Sequence, residues 1–178
     1  MVNYFELYNI PVSFHPDTNL VKNKFYELSR LYHPDRFAQA DSAKRAEVLG
    51  MAALNNQAYK TFSNSDATMA YILRLNELLE DEEKYNLPPA FLMEMMELNE
   101  AISDYEASPE NEAAKQLAIN SVMEQMEQWA ANTQKLTQKF DAGEQTKELL
   151  LQIKDYYFRK KYLLRIQQRI DTFARTNE

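Results

Sequence analysis

The sequence predicts an all-α protein, and three observations carry that prediction. Among 178 residues there are only two glycines, and β-branched residues are sparse beside Leu, Ala, Glu, Gln, Lys and Met, a balance that favours helix over most of the chain. Apolar residues recur at helical spacing, as at Val21, Phe25, Leu28 and Tyr32, which fall at i, i+4, i+7 and i+11. Helix punctuation interrupts these stretches at Pro34, at Pro88-Pro89, at Pro109 and at Gly143. With 45% hydrophobic residues, the chain can fill the core of one ordinary domain or of two small ones.

The elements follow in order. Residues 4–8 form a short apolar turn of helix, closed by "NIPVSFHPD". A helix is expected from about Asn19 to Tyr32, with Asp17 or Thr18 as its N-cap, and it must stop near His33 because Pro34 disfavours the α conformation in the residue before it. "RFAQADSAKR" reads as a loop, followed by a helix from about Ser42 to Phe62 whose expected buried side includes Leu54, Ala58 and Phe62. Two such helices joined by a loop suggest an antiparallel hairpin. After "SNSD" a further helix is expected to run to about Leu79, and the acidic, proline-ended "EDEEKYNLPP" makes the best domain boundary. Three helical blocks remain, about 90–107, 110–140 and 144–175, with Pro109 placed in a first helical turn and Gly143 at a helix end. In the last block Leu149, Ile153, Tyr156, Leu163, Ile166 and Ile170 recur at helical spacing, and the three blocks suggest a three-helix bundle.

Composition excludes several classes of function. There is no cysteine, so disulfides, Cys-ligated zinc and bound clusters are ruled out, and with only His15 and His33 a self-sufficient transition-metal site is not expected. The N-terminus lacks a basic start and a long apolar run, and no stretch approaches a membrane span; a cytoplasmic protein with no membrane partner is the expectation. Charge is uneven: residues 76–142 carry four Lys/Arg against fifteen Asp/Glu, whereas 1–75 carry eight against seven and 143–178 eight against five. An acidic middle argues against nucleic acid and allows a basic protein partner or a solubilising surface.

The tripeptide His-Pro-Asp occurs twice, at His15 and at His33. In the first copy Asp17 can cap the following helix while Pro16 keeps the backbone extended, which leaves His15 with no assigned task. The second copy sits between two long helices, where Pro34 stiffens the turn and holds His33 and Asp35 exposed beside Arg36. A rigid carboxylate there suits an arginine of another protein, and Lys22, Lys24, Tyr26 and Arg30 offer a cationic and aromatic approach to it. A plain helix stop with a solvated Asp35 accounts for the same residues equally well. A hydrolase using His33 and Asp35 as acid and base lacks any nucleophile or metal constellation.

"KFYELSRLYHPDRF", with the short helix before it and "NNQAYKTF" after it, resembles the J domain of co-chaperones for DnaK-type ATPase chaperones. "AFLMEMMELNEAISDYE" further resembles the first C-terminal helix of the HscB family, J-type co-chaperones of iron–sulfur cluster assembly. The resemblance covers nearly the whole chain and implies an N-terminal J domain, a helical hairpin with short flanking helices over 1–76, a linker over 77–89 and a C-terminal three-helix scaffold-binding domain over 90–178. It implies a DnaK-type, HscA-like chaperone that engages His33, Pro34, Asp35 and Arg36 with Lys22, Tyr26 and Arg30. It also implies an IscU-like iron–sulfur scaffold protein held by Leu92, Met93, Met96, Glu97, Glu100 and Asp104, with Phe158 completing the patch.

The expected function is therefore a non-enzymatic co-chaperone that delivers the scaffold and stimulates the chaperone ATPase. In this reading the cluster belongs to the scaffold, so no cofactor is expected here; the alternative is a general J protein with other clients. Positions 93, 97, 100 and 104 line one helical face flanked by 92 and 96, although spacing alone also permits Leu92, Met93 and Met96 as bundle core. Departures from the family pattern are Glu27 interrupting the basic set, Asn55 where an apolar core residue is usual, Met96 for a commoner Leu and Asp104 for a commoner Glu.

Overall fold

Short polar side chains start most of the helices. In the computed structural model, which describes residues 2–176, seven α-helices and one 3-10 turn form among the described residues. They are α1 (Tyr4–Tyr8), α2 (Thr18–Leu31), the 3-10 turn Pro34–Phe37, α3 (Ser42–Phe62), α4 (Ser65–Leu75), α5 (Pro89–Ala107), α6 (Glu112–Asp141) and α7 (Lys147–Thr176). By internal contacts the chain divides into two units. The first is Met1–Leu79 with Phe140–Glu144, and the second Glu80–Lys139 with Gln145–Glu178.

In the first unit, Asn3, Asp17, Asp41 and Asn64 cap α1 to α4 by accepting hydrogen bonds from first-turn N–H groups, the orphan donors of any helix start. For α2 the cap is Asp17, whose carboxylate accepts from Asn19 at 2.8 Å and Leu20 at 3.0 Å. α2 ends at Leu31, and its expected stripe is graded: Val21 is buried, whereas Phe25, Leu28 and Tyr32 are half-buried. The stretch expected as loop after Pro34 begins instead with the 3-10 turn, which the fixed φ of proline favours at its first position.

Two expectations for this unit are corrected. α4 stops at Leu75, not near Leu79, because Glu77 takes the left-handed conformation (φ 59°) and closes the helix. The Leu78 N–H then donates to the Leu73 carbonyl and the Glu77 N–H to that of Arg74, the paired bonds of a Schellman ending. On α3 the core positions are Val48, Asn55, Ala58 and Phe62; Leu54 is only half-buried, and the polar Asn55 lies inside at 2% exposure. Tyr8 bonds to it and, with Phe5, packs its ring against Phe62, while Tyr4 stacks on Tyr71 with ring centroids 4.4 Å apart.

In the second unit the core is a stripe on α5, namely Phe91, Met95, Leu98, Ile102 and Tyr105, packed with Ala118 and Val122 of α6 and Leu163, Ile166 and Ile170 of α7. Positions 91, 95, 98, 102 and 105 fall on one side of a 3.6-residue helix, so α5 commits one face to the bundle and leaves the other open. Pro109 lies in the turn before α6, not in its first helical turn as the sequence suggests; Asn111 starts that helix by accepting from Ala113 and Ala114. Gly143 follows α6 with φ 108°, a conformation in which a side chain would be strained. Residues 80–88 pack on α7, where Glu83 pairs with Lys154 and the Tyr85 ring stacks on Phe158. No helix among the described residues is long and apolar enough to cross a membrane.

Candidate functional site

Two surfaces, one in each unit, gather the residues singled out from the sequence. In the first, Pro34 opens the 3-10 turn and His33 precedes it with extended backbone. The Arg36 N–H donates to the His33 carbonyl at 3.1 Å, and the His33 Nδ1 faces the Asp35 N–H at 3.4 Å, a long contact, and the Asp35 carboxylate at 3.7 Å. The two side chains point to solvent, with 57% of the imidazole and 90% of the carboxylate exposed. Arg36 is less free: its guanidinium donates to the Arg30 carbonyl at 2.8 Å, satisfying one of the open carbonyls at the end of α2. That bond ties the turn to the helix it follows.

Lys22, Tyr26 and Arg30 are all exposed and recur every fourth residue, so they form one row along α2 toward this turn. Lys24 is paired with Glu27 at 2.8 Å, which takes it out of the free cationic set. The aromatic next to Tyr26, Phe25, stacks on Tyr59 of α3 at 4.2 Å and anchors the row from behind. An exposed carboxylate fixed beside an imidazole, at the end of a row of cations, can bind a basic side chain of a partner; it holds no activated nucleophile. Among the described residues no group of three or more His, Asp or Glu side chains is placed to hold a metal ion.

The first His-Pro-Asp copy is used differently. Asp17 is a helix cap, and His15, for which the sequence offers no role, has its Nδ1 2.8 Å from a carboxylate oxygen of Asp141. The other oxygen of Asp141 accepts from the Phe14 N–H at 2.9 Å, and the Phe14 ring meets that of Phe140 edge-on at 4.9 Å. Nothing local in the sequence announces a partner that lies 126 residues away.

The second surface is the open face of α5. Leu92, Met93 and Met96 are 41%, 69% and 70% exposed, and Glu97, Glu100 and Asp104 are exposed beside them. The neighbouring Met95 is fully buried, so the choice between core and surface that spacing left open is decided: Phe91 and Met95 are core, and Leu92, Met93 and Met96 are not. An apolar centre flanked by three carboxylates results, chemistry suited to a protein with an apolar contact and a basic rim.

Phe158 differs from the other six. It is 9% exposed, its ring stacked face to face on Tyr85 at 4.4 Å and edge-on to Tyr157 at 5.3 Å, with the Lys161 ammonium 5.4 Å from the ring centre. A partner reaches it only at its margin. Sequence reading missed Tyr85, which sits in the stretch taken for a linker; an aromatic amid acidic residues is the one signal that could have drawn attention to it. Its hydroxyl donates to Asp155 at 3.0 Å, and burial, with that bond second, pushes its pKa up to about 12. Asp155 in turn accepts from the Arg159 guanidinium at 2.6 Å.

Comparison with known proteins bears on the whole chain. Residues 87–171 match the family model described as the HSCB C-terminal oligomerisation domain. A "Co-chaperone protein HscB homolog" of Vibrio cholerae serotype O1 (strain M66-2) is 38% identical over 114 residues, covering 64% of this chain and 67% of the relative. Another, of Photobacterium profundum, is 35% identical over the same shares of both chains. Among solved structures, chaperone HscB from Vibrio cholerae superposes with a TM-score of 0.68 and 26% identity, over 99% of this chain and all of that one. Human co-chaperone protein HscB gives 0.70 and 26%, over 97% of this chain and 82% of the other.

Proposed function

We propose that this chain, which belongs to the HscB family of co-chaperones, carries an iron–sulfur scaffold protein on its second unit and presents it to a DnaK-type chaperone through its first. Its all-helical fold is that of the HscB structures, a J domain followed by a C-terminal helical bundle. The observation that carries the proposal is the two-sidedness of α5. One face is bundle core, and the other holds Leu92, Met93 and Met96 in solvent among Glu97, Glu100 and Asp104. Large apolar side chains exposed together on a helix call for a partner, and the carboxylates around them favour a basic one.

In this reading His33, Pro34 and Asp35 engage the chaperone, with Lys22, Tyr26 and Arg30 meeting its surface and Arg36 holding the turn on α2. The chain performs no chemistry of its own; it raises the ATPase rate of its partner. Carrying both binding surfaces on one chain raises the effective concentration of scaffold at the chaperone, so scaffold and co-chaperone together stimulate more than either alone.

The test is a turnover assay of an HscA-like chaperone with this chain, with an IscU-type scaffold, and with both. Synergy is expected. Stimulation by the chain with no further effect of the scaffold would sink the scaffold half of the proposal and leave a general J protein with other clients.

A further inference from the structure

The chain has eight methionines, and the structure sorts the seven that lie among the described residues sharply. Met93 and Met96 are 69% and 70% exposed, whereas Met95 between them is fully buried and Met69 is 6% exposed. Met51 and Met126 are partly covered, and Met123 on α6 is 55% exposed. Thioethers are oxidised in proportion to their access to the oxidant, so the two most open described methionines are the pair at the centre of the α5 face.

We infer that Met93 and Met96 form an oxidation-sensitive pair whose conversion to sulfoxides weakens docking at that face, a reversible control of partner binding. The inference rests on the docking role proposed above. In the chemical step a sulfur lone pair attacks one oxygen of a peroxide. The O–O bond breaks as the S–O bond forms, the sulfur gives up two electrons, and the proton on the transferred oxygen is lost as the departing hydroxide takes one and leaves as water. No protein group is needed.

The product replaces an adaptable apolar side chain by a strongly polar one. Three residues apart on one helix, the two side chains are neighbours on its surface, so both sulfoxides fall within one contact patch. Burying them against an apolar partner surface costs hydrogen bonds to water that nothing in an apolar contact replaces. The adjacent carboxylates of Glu97 and Glu100 accept hydrogen bonds and do not donate them, so they offer the sulfoxide oxygens no compensation.

The test treats this chain alone with dilute hydrogen peroxide, removes the oxidant, and then measures affinity for an untreated IscU-type scaffold while peptide mass mapping follows each methionine. Met93 and Met96 should gain oxygen well before Met95 and Met69, with affinity falling about tenfold or more, the loss typical of removing a central contact. Methionine sulfoxide reductases should restore it.

Treated and untreated samples of each variant are compared with one another. Met123→Leu should keep the full sensitivity, and the double variant Met93→Leu, Met96→Leu should lose it. Undiminished affinity with both sulfoxides present, or equal sensitivity in the double variant, overturns the inference while leaving the docking role standing. An untreated chain that fails to bind the scaffold overturns both.

Discussion

The Tyr8 hydroxyl and the Asn55 side-chain oxygen meet at 2.8 Å in the interior of the first unit, where neither residue is more than 2% exposed. Asn55 also donates its amide hydrogens to the Phe25 carbonyl and the Ser29 hydroxyl, each at 3.0 Å. One side chain of α3 thus joins α1 to α2, and the helix it steadies ends at the His33 turn. Because every polar atom of Asn55 is matched, its burial is sustainable, and burial of Tyr8 pushes its hydroxyl pKa up from the usual value.

Asn55→Ala should therefore cost about 2–4 kcal/mol, since it leaves a void and removes three side-chain hydrogen bonds, leaving the Tyr8 hydroxyl only its longer bond, at 3.2 Å, to the backbone carbonyl of residue 55. Tyr8→Phe should cost about 1–2 kcal/mol, and the double variant less than the sum, because each single change already removes the bond that the two side chains share. Urea titration of the four proteins measures the coupling. Strict additivity would contradict the hydrogen bond.

The two His-Pro-Asp copies should separate by function. His33→Gln or Asp35→Asn is expected to abolish stimulation of the chaperone ATPase while helicity and scaffold binding persist, since both side chains are exposed and neither supports the core. His15→Gln and Asp17→Asn are expected to leave stimulation intact, because His15 pairs with Asp141 and Asp17 caps α2, a task asparagine also performs. Loss of stimulation from the His15 change instead would reverse the assignment.

What the sequence discloses is largely local. Caps such as Asp17, the proline at 34 and the glycine at 143 act within a turn of where they stand, so most helix limits could be read within a few residues. The end of α4 could not, because Glu77 takes the left-handed conformation that glycine usually signals. Asn55 looks out of place in a core until its partners on α1 and α2 are brought to it, and the pairing of His15 with Asp141 is likewise made only by folding. On α5 the stretch "FLMEMM" is apolar on both faces of the helix, so periodicity alone cannot say which methionine is inside; packing of Met95 against the bundle decides it. The resemblance to HscB proteins singled out the open face, but it did not reveal that Phe158 is buried under Tyr85.

Met93 and Phe158 should respond differently to truncation. Met93→Ala removes an exposed side chain, so stability should change by no more than about 0.5 kcal/mol while scaffold affinity falls. Phe158→Ala removes the ring beneath Tyr85 and should cost about 3–5 kcal/mol of stability in the second unit. Phe158→Leu is the better probe of binding: it should spare basal ATPase stimulation and diminish the extra effect of scaffold. Thermal melts beside binding isotherms separate the two kinds of loss. An unchanged melting curve for Phe158→Ala would mean that the ring is not packed as described.

Tyr85 should keep its proton well into the alkaline range. Burial and the bond to Asp155 raise its pKa from 10.0 to about 12, so the folded state favours the neutral phenol. A raised value means that the linked stability is fully present below pH 10.0 and is lost as pH rises through about 12. Tyr85→Phe keeps the ring on Phe158 and removes only the hydroxyl. Asp155 retains its bond from Arg159, so no carboxylate is stranded and the cost at neutral pH should be about 1 kcal/mol. In a spectrophotometric tyrosinate titration the variant should lack one of the late-ionising groups of the native chain. Loss instead of a group titrating near the ordinary tyrosine value would show that the hydroxyl is neither buried nor held by Asp155.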